Sequence, residues 1–367
     1  MAERGARPEV PAAPRRVLRA VRSMFTPLLP DDYLEMINPL WNTQELRGRV
    51  ERVDHETADA ATILIKPGWT WPGHTPGQYL RIGVVVDGIH HWRAYSLTSD
   101  PDRPDGCISI TPKLVDEGVV SPYLVRDLRP GAIVRLGGVE GTFVLPDPLP
   151  ARSLFVSAGS GVTPIMSMLR ALDHRDAMQD VVLLHSARHA DDVIFGAELR
   201  DMARRHPGLR LHEQHTRDMG RLTPADLGTL CPDWREREAF ISGPRELLDA
   251  LLEHWEADGG DRERLHMERF QPVLADADAE HGDGGTITFT KSGIEARSDG
   301  AQPILAAGEE AGATLPYGCR MGICHTCVGR LCSGRVRDLR TGEVRGQDDE
   351  MIRTCVHAPE GHVEIAL

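Results

Sequence analysis

Residues 319–327 read Cys319-Arg320-Met321-Gly322-Ile323-Cys324-His325-Thr326-Cys327, and a fourth cysteine, Cys355, follows after 27 further residues. C-x₄-C-x₂-C with one distant partner is a spacing at which four thiolates converge on the two irons of a [2Fe–2S] cluster. Three ligands come from one tight loop and the fourth from a segment that folds back. Gly318 and Gly322 suit that loop, because backbone amides must approach the sulfides and some positions need unusual φ and ψ. A structural zinc site competes with this reading, but zinc usually takes a second close pair or histidines, and here one cysteine stands alone. A disulfide framework is weaker still: seven cysteines is an odd count, and nothing marks the chain as secreted. Cys107, Cys231 and Cys332 read as bystanders. Cys332 is the rival fourth ligand, but it would make a contiguous knot with Cys327.

The pattern changes repeatedly on moving outward from this loop. Residues 286–367 begin with two strands (TITFTKSG, then IEARSD) and the helix QPILAAGEEAG, which leads into the cysteines. The acidic run VLADADAEHGDGG, 273–285, reads as a linker. From 151 to 272 strands and helices alternate: SLFVSA, PIMSMLRAL, DVVLLHSA, DDVIFGAELRDMARR, LRLHEQHT, EAFISG and PRELLDALLEHW. That is a doubly wound α/β pattern with a parallel sheet. From 46 to 150 six short strands (47–53, 61–66, 78–86, 92–99, 107–113 and 132–136) predict a small antiparallel β-barrel. Its one expected helix, 118–128, would open with Ser121 as N-cap and Pro122 at the first helical position.

Residues 1–45 form an extension. Three prolines and little apolar material predict disorder over 1–14. Over 15–29, Val17, Leu18, Val21, Met24, Phe25 and Leu28 recur at helical spacing, with arginines elsewhere. Such a basic amphipathic helix either lies on an anionic membrane surface as a peripheral contact or packs on its own protein. Residues 31–45 read as a strap over the barrel. A length of 367 residues predicts two or three domains, and the formal charge of −13 excludes a general nucleic-acid surface. No run approaches 18 apolar residues, and no signal peptide is visible, so a cytoplasmic location is expected.

Three motifs carry chemistry. Arg93-Ala94-Tyr95-Ser96-Leu97-Thr98 ends a barrel strand. Tyr95 can stack on a flavin, Ser96 can hydrogen-bond near its hydride-accepting nitrogen, and Arg93 can neutralise a phosphate. Gly118-Val119-Val120-Ser121 sits at a helix start, where amides favour a phosphate, and Lys113 joins these as a cofactor-binding candidate. Gly159-Ser160-Gly161-Val162-Thr163-Pro164 follows a strand and opens a helix, the context in which glycines let backbone approach a pyrophosphate. Arg188, Arg217 and Arg221 place cations after consecutive strands. They favour the 2′-phosphate of NADPH over NADH, although solvated arginines are the plain alternative.

Taken in order, R-x-Y-S, G-V-V-S, G-S-G-V-T-P and Ser242-Gly243-Pro244-Arg245-Glu246 resemble the ferredoxin–NADP⁺ reductase superfamily. With the plant-type cysteine pattern, residues 46–367 resemble its three-part flavin–nicotinamide–[2Fe–2S] members. The resemblance implies a flavin barrel, a nicotinamide domain and an α+β β-grasp ferredoxin domain. It also implies that Arg93, Tyr95, Ser96 and the turn at 118–121 hold the flavin. Thr163 would reach the flavin–nicotinamide contact, Gly159, Gly161, Arg188, Arg217 and Arg221 would hold NADPH, and Gly243 and Pro244 would line its site. Many relatives have cysteine at Ser242, which would lie close to the nicotinamide; a hydroxyl there weakens alignment for hydride transfer. No C-terminal aromatic covers the flavin, and Glu268 and Phe270 are the nearest candidates at that face. FAD is favoured over FMN because the turn at 118–121 opens a helix able to serve a pyrophosphate.

The implied reaction is electron splitting from NADPH through flavin and cluster to a protein acceptor. The N-terminal segment resembles that of actinobacterial reductases feeding membrane-bound di-iron acyl-CoA desaturases. A cytochrome P450, a Rieske-type ring-hydroxylating oxygenase or a hybrid-cluster protein are the other acceptors weighed, and a non-catalytic redox sensor is the alternative of another class. Arg320, Met321, His325 and Thr326 would form the acceptor's docking rim.

Overall fold

The computed structural model describes residues 37–42, 44–86, 88–115, 118–270, 282, 284–318, 322, 325–346 and 349–367. The disordered stretch, the basic helix and most of the strap expected over residues 1–45 lie outside the described residues. So do most of the linker at 273–285 and Cys319, Arg320, Met321 and Cys324.

Three sheets follow one another along the chain. The first contains β1 (Arg47–Thr57), β2 (Ala60–Pro67), β3 (Tyr79–Val86), β4 (Ile89–Ser96), β5 (Ile108–Ile110) and β6 (Ile133–Glu140) in the order β4-β3-β6-β1-β2-β5. All five pairings are antiparallel. Leu97 bridges to Ile110, and the Thr98 amide donates to the Ser109 carbonyl at 2.8 Å, so the two edge strands meet and the sheet closes. Closure removes the exposed edges and encloses Ile63, Ile65, Leu80, Ile82, Ile108 and Leu136. The seam also corrects the expected boundaries: β4 ends at Ser96, not 99, and the fifth strand is three residues long. The expected helix over 118–128 is a turn, Val120–Pro122, continued as a π-turn, Tyr123–Asp127. Val119 stands at its N-cap, not Ser121. The Ser121 hydroxyl accepts instead from the Val115 amide (3.1 Å) and ties the loop.

The second sheet is wholly parallel: β7 (Ser153–Ala158), β8 (Val181–Ala187), β9 (Leu209–His215), β10 (Glu238–Gly243) and β11 (Leu265–Arg269), in the order β11-β10-β7-β8-β9. Its strands are apolar on both sides because helices cover both faces. Alternation along the pleat yields two cores. Phe155, Leu183 and Phe240 face α1 (Val162–His174) and α2 (Gly196–Arg205). Val156, Val182 and Ile241 face α3 (Pro224–Leu230) and α4 (Arg245–Ala257). The helix expected from residue 191 begins only at Gly196, because Phe195 adopts a left-handed φ of 61° and residues 190–192 form a 3₁₀ turn. Sequence reasoning did not anticipate β11.

The third sheet is mixed. β12 (Gly285–Phe289) pairs antiparallel with β13 (Ile294–Ser298) and parallel with β17 (His357–Ala366); β17 continues to β14 (Val328–Asp338), flanked by β15 (Val344–Arg345) and β16 (Met351–Arg353). One helix, α5 (Ile304–Glu310), packs on it, giving the β-grasp arrangement. Ile287, Phe289, Leu331, Val336 and Ile365 share their core with Cys327 and Cys355.

Helix α1 docks the first two sheets together. Arg170 Nη1 donates to the Thr98 carbonyl and Ser167 Oγ to the Ser99 carbonyl, both at 2.7 Å, and His174 Nδ1 lies 2.7 Å from Asp100 Oδ2. These bonds hold the barrel seam against the start of the parallel sheet.

Candidate functional site

Strand order in the parallel sheet reverses between β7 and β10, and the crevice outside their carboxyl ends is where such sheets bind ligands. Gly159–Gly161 follows β7, and Gly243 with Pro244 ends β10. Two adjoining hollows of about 390 and 440 Å³ run from this point and share Lys113, Ala158, Gly159, Pro244 and Glu246. The two glycines do different work. Gly159 has φ +55° and open space where a Cβ would stand, so a ligand can approach the backbone there; a Cβ at Gly161 would collide with the Ser242 carbonyl, so it lets α1 pack on β10. Pro164 is buried at the third residue of α1, where its missing N–H leaves nothing unsatisfied.

The outer hollow is lined by Arg188 and Arg221 but not by Arg217, which is exposed beside it, with its amide on the Arg188 carbonyl (3.3 Å). Ser242 does not line the groove. Its side chain is fully buried on the face covered by α1, and its hydroxyl has no hydrogen-bond partner. Ser242, Ser157 and His185 are register partners across β10, β7 and β8, so they form one polar row. Ser157 Oγ meets His185 Nδ1 at 2.8 Å, and burial pushes the imidazole down to about 4.

A third cleft, about 480 Å³, opens between the sheets. Arg93, Tyr95 and Ser96 line it from β4, Lys113 and Gly118, Val119, Val120 and Ser121 from the loop beyond β5, and Ser160 and Thr163 from the start of α1. The Thr163 hydroxyl donates back to the Ser160 carbonyl at 2.9 Å. Leu97 and Thr98 do not reach this cleft. Both are fully buried in the closing seam, where Thr98 Oγ1 bonds Ser109 Oγ at 2.7 Å. Glu268, Arg269 and Phe270, at the end of β11, form another wall, and Tyr317 and Gly318 complete it immediately before Cys319. Burial pushes the Glu268 carboxyl up to about 7 and raises the Tyr95 phenol well above its ordinary range. Burial, with Glu140 next to it, brings Tyr79 up to about 12. Its apolar and hydroxyl-bearing walls fit a flat ring system, and the cations of Arg93, Lys113 and Arg269, which also line it, suit phosphate.

Of the four cysteines, Cys327 and Cys355 are described. Both are buried, and their sulfurs lie 3.0 Å apart, well beyond a covalent S–S bond. The Gly322 amide donates to Cys355 Sγ (3.2 Å) from a backbone with φ +69°, and Arg353 Nη1 holds the Gly322 carbonyl at 2.8 Å. An amide aimed at a sulfur is what thiolate ligands of an iron–sulfur cluster need. Cys332 sits apart on β14, its thiol toward the Arg330 carbonyl. Sequence reasoning missed Asp59 and Asp192, which flank Arg188 at 3.2 and 3.7 Å. The paired glycine and proline turns of the groove gave no sign of them.

Known families agree with this division. An oxidoreductase FAD-binding domain matches residues 70–145, an oxidoreductase NAD-binding domain 155–228, and a 2Fe-2S iron–sulfur cluster binding domain 287–360. An NADPH oxidoreductase of Mycobacterium tuberculosis is 48% identical over 363 residues, covering 97% of this chain and 94% of its own length. A glycine betaine monooxygenase reductase subunit of Chromohalobacter salexigens is 32% identical over 79% of this chain and 86% of its own. Among solved structures, phthalate dioxygenase reductase superposes with a TM-score of 0.60 at 21% identity, over 88% of this chain and 98% of that one. The chain belongs to the ferredoxin–NADP⁺ reductase superfamily with a C-terminal [2Fe–2S] domain, and is an NAD(P)H-dependent oxidoreductase whose cofactors are FAD and that cluster.

Proposed function

We propose that the chain carries electrons from NADPH to an oxygen-activating iron enzyme, and that a membrane-bound acyl-CoA desaturase is that acceptor. The observation that carries the relay is the shared cleft: Ser96 from the barrel, Thr163 from the nucleotide domain and Tyr317–Gly318 beside Cys319 line one cavity. FAD and the cluster supply the conversion of a two-electron hydride into single electrons, and the protein supplies position and electrostatics. We divide the chain accordingly into an extension (1–45), a flavin barrel (46–150), a nicotinamide domain (151–272), a linker (273–285) and a cluster domain (286–367).

In this reading Arg93, Tyr95, Ser96 and the turn at 118–121 hold FAD. Gly159, Lys113, Arg188, Arg221, Gly243 and Pro244 hold NADPH. Cys319, Cys324, Cys327 and Cys355 hold the cluster. Thr163 and the start of α1 set the floor between flavin and nicotinamide, and Glu268 with Phe270 closes the cleft against water. Leu97, Thr98, Gly161 and Ser242 act one layer behind, by fixing the seam and the helix.

The desaturase reading rests on the N-terminal segment. The mycobacterial relative aligns over 97% of the chain, whereas the betaine monooxygenase reductase aligns over 79%, so the former shares most of the extension. No helix among the described residues is long and apolar enough to cross a membrane. In this reading the basic stretch at 15–29 is the contact with an anionic surface on the cytoplasmic side. The monooxygenase reductase relative supports a second reading, in which the acceptor is an oxygenase such as a Rieske-type enzyme or a cytochrome P450. Co-expression with a desaturase in membranes tests the first: NADPH-dependent unsaturated fatty acid above a reductase-free control is expected. Absence of that product, with electron transfer to an oxygenase component intact, would favour the second.

A further inference from the structure

We propose that Asp59 is a nucleotide-selectivity residue: its carboxylate holds the Arg188 guanidinium across the domain boundary until the 2′-phosphate of a dinucleotide displaces it. The proposal rests on the reading above that Arg188 receives that phosphate.

Asp59 occupies the tight turn between β1 and β2 in the barrel, and its position is fixed on three sides. The Thr57 hydroxyl donates to Oδ1 at 2.8 Å, the Asp59 amide donates to Thr57 Oγ1 at 3.3 Å, and the Asp59 carbonyl accepts from the Leu114 amide at 2.7 Å. The remaining oxygen, Oδ2, faces two cations. Lys113 Nζ of the barrel lies 3.2 Å away, and so does Nη2 of Arg188, 129 residues further along the chain on the loop after β8. Arg188 Nε stands 3.7 Å from Asp192 Oδ2. The Nε–Nη2 edge of Arg188, one of the edges with which a guanidinium grips a phosphate bidentately, is therefore turned toward carboxylates. Burial works against ionisation of Asp59, but Thr57 and the two cations hold its carboxyl below the ordinary range, so the carboxylate is charged at neutral pH.

Both Lys113 and Arg188 line the nucleotide groove, so Asp59 competes there for the same cations. A phosphate monoester carries close to two negative charges at pH 7 and outcompetes one carboxylate. A dinucleotide with a free 2′-hydroxyl brings no charge to that position and leaves the Asp59–Arg188 pair closed. Asp59 thus lowers affinity for 2′-phosphorylated nucleotides and is indifferent to the rest. The side chains are 24% and 58% exposed, so the competition is screened and its effect moderate.

Calorimetric titration of the flavin-loaded protein with adenosine 2′,5′-bisphosphate and with 5′-AMP tests this directly. Asp59→Asn, with Asp59→Ser as a second variant, is expected to tighten the bisphosphate by about 2- to 5-fold, as loss of one screened charge competitor allows, and to leave 5′-AMP unchanged. Arg188→Ala is the control for the parent reading and should weaken the bisphosphate alone. If Arg188→Ala has no effect, Arg188 is not the phosphate ligand and the inference falls with that reading. If Arg188→Ala weakens binding but both Asp59 variants leave the bisphosphate unchanged or weaken it, Asp59 orients Arg188 and does not compete. Equal tightening of 5′-AMP would likewise overturn a role in selectivity.

Discussion

The flavin cleft and the nucleotide groove adjoin each other and share Lys113, but differ in how far their charged side chains are exposed. In the cleft the ionisable groups are partly or largely buried: Glu268 rises to about 7, the Tyr79 and Tyr95 phenols are held far from ionisation, and the cations Arg93, Lys113 and Arg269 are only partly exposed. In the groove the side chains that matter are exposed and charged, and Arg188 is already engaged by two carboxylates. A resident cofactor can be held by shape and many weak contacts, whereas a substrate that must leave each turnover is better held by charge that water and counter-ions can replace. Each prediction below is a way to break or sharpen that contrast.

The largest effect is expected from a pair of glycine substitutions. A Cβ at Gly161 meets the Ser242 carbonyl and the Gly243 amide, so Gly161→Ala should push α1 off β10 and cost about 1–3 kcal/mol or more, read as a lowered thermal midpoint. Gly159→Ala meets nothing within 4 Å but must adopt φ +55°, a strain of about 1–2 kcal/mol. Its fold should persist while the KM for NADPH rises. Destabilisation by Gly159→Ala well beyond this strain would mean that the groove is not open at Gly159.

The second prediction concerns pH. The folded-state value of Glu268, about 7, lies above the ordinary 4.5. Between these values the native carboxyl keeps a proton that the unfolded chain has lost, so stability falls as pH rises through this window and the loss is complete above about 7. Glu268→Gln cannot titrate. It should match the wild-type protein near pH 4.5 and exceed it by about 1–3 kcal/mol at pH 8 in denaturant unfolding of the flavin-free protein. A constant difference across the range would place the carboxylate in water.

The smallest effect is expected from salt. Raising ionic strength from 50 to 500 mM should raise the KM for NADPH severalfold and leave FAD retention on a desalting column almost unchanged, because only the groove relies on exposed charge, which salt screens. Parallel loss of both would erase the distinction between the sites.

The sequence made the groove legible where chemistry is local. Gly159 to Pro164 follow one strand and start one helix, so six consecutive residues define the turn, and the apolar runs around them specify buried parallel strands. Arg93, Tyr95 and Ser96 were legible for the same reason, but the motif was read too far: Leu97 and Thr98 belong to the seam, which exists only because Ile110 and Ser109 return to meet them. β11 went unread because LHMER is only five residues of alternation, and parallel pairing with β10 makes it a strand. Ser242 was assigned by motif to the nicotinamide, whereas the pleat of β10 turns its side chain under α1. Asp59 was invisible for a more general reason. It lies in an ordinary turn, and its importance comes from a residue 129 positions away that only the docking of two domains brings to it.

The central claim is that one continuous path joins nucleotide, flavin and cluster. Anaerobic titration of the purified protein with NADPH, followed by optical and EPR spectra, tests it most directly. The account predicts bleaching of the flavin band together with a rhombic signal from the reduced [2Fe–2S] cluster, and a much weaker response to equal NADH. Flavin bleaching with an intact cluster that stays oxidised would contradict it.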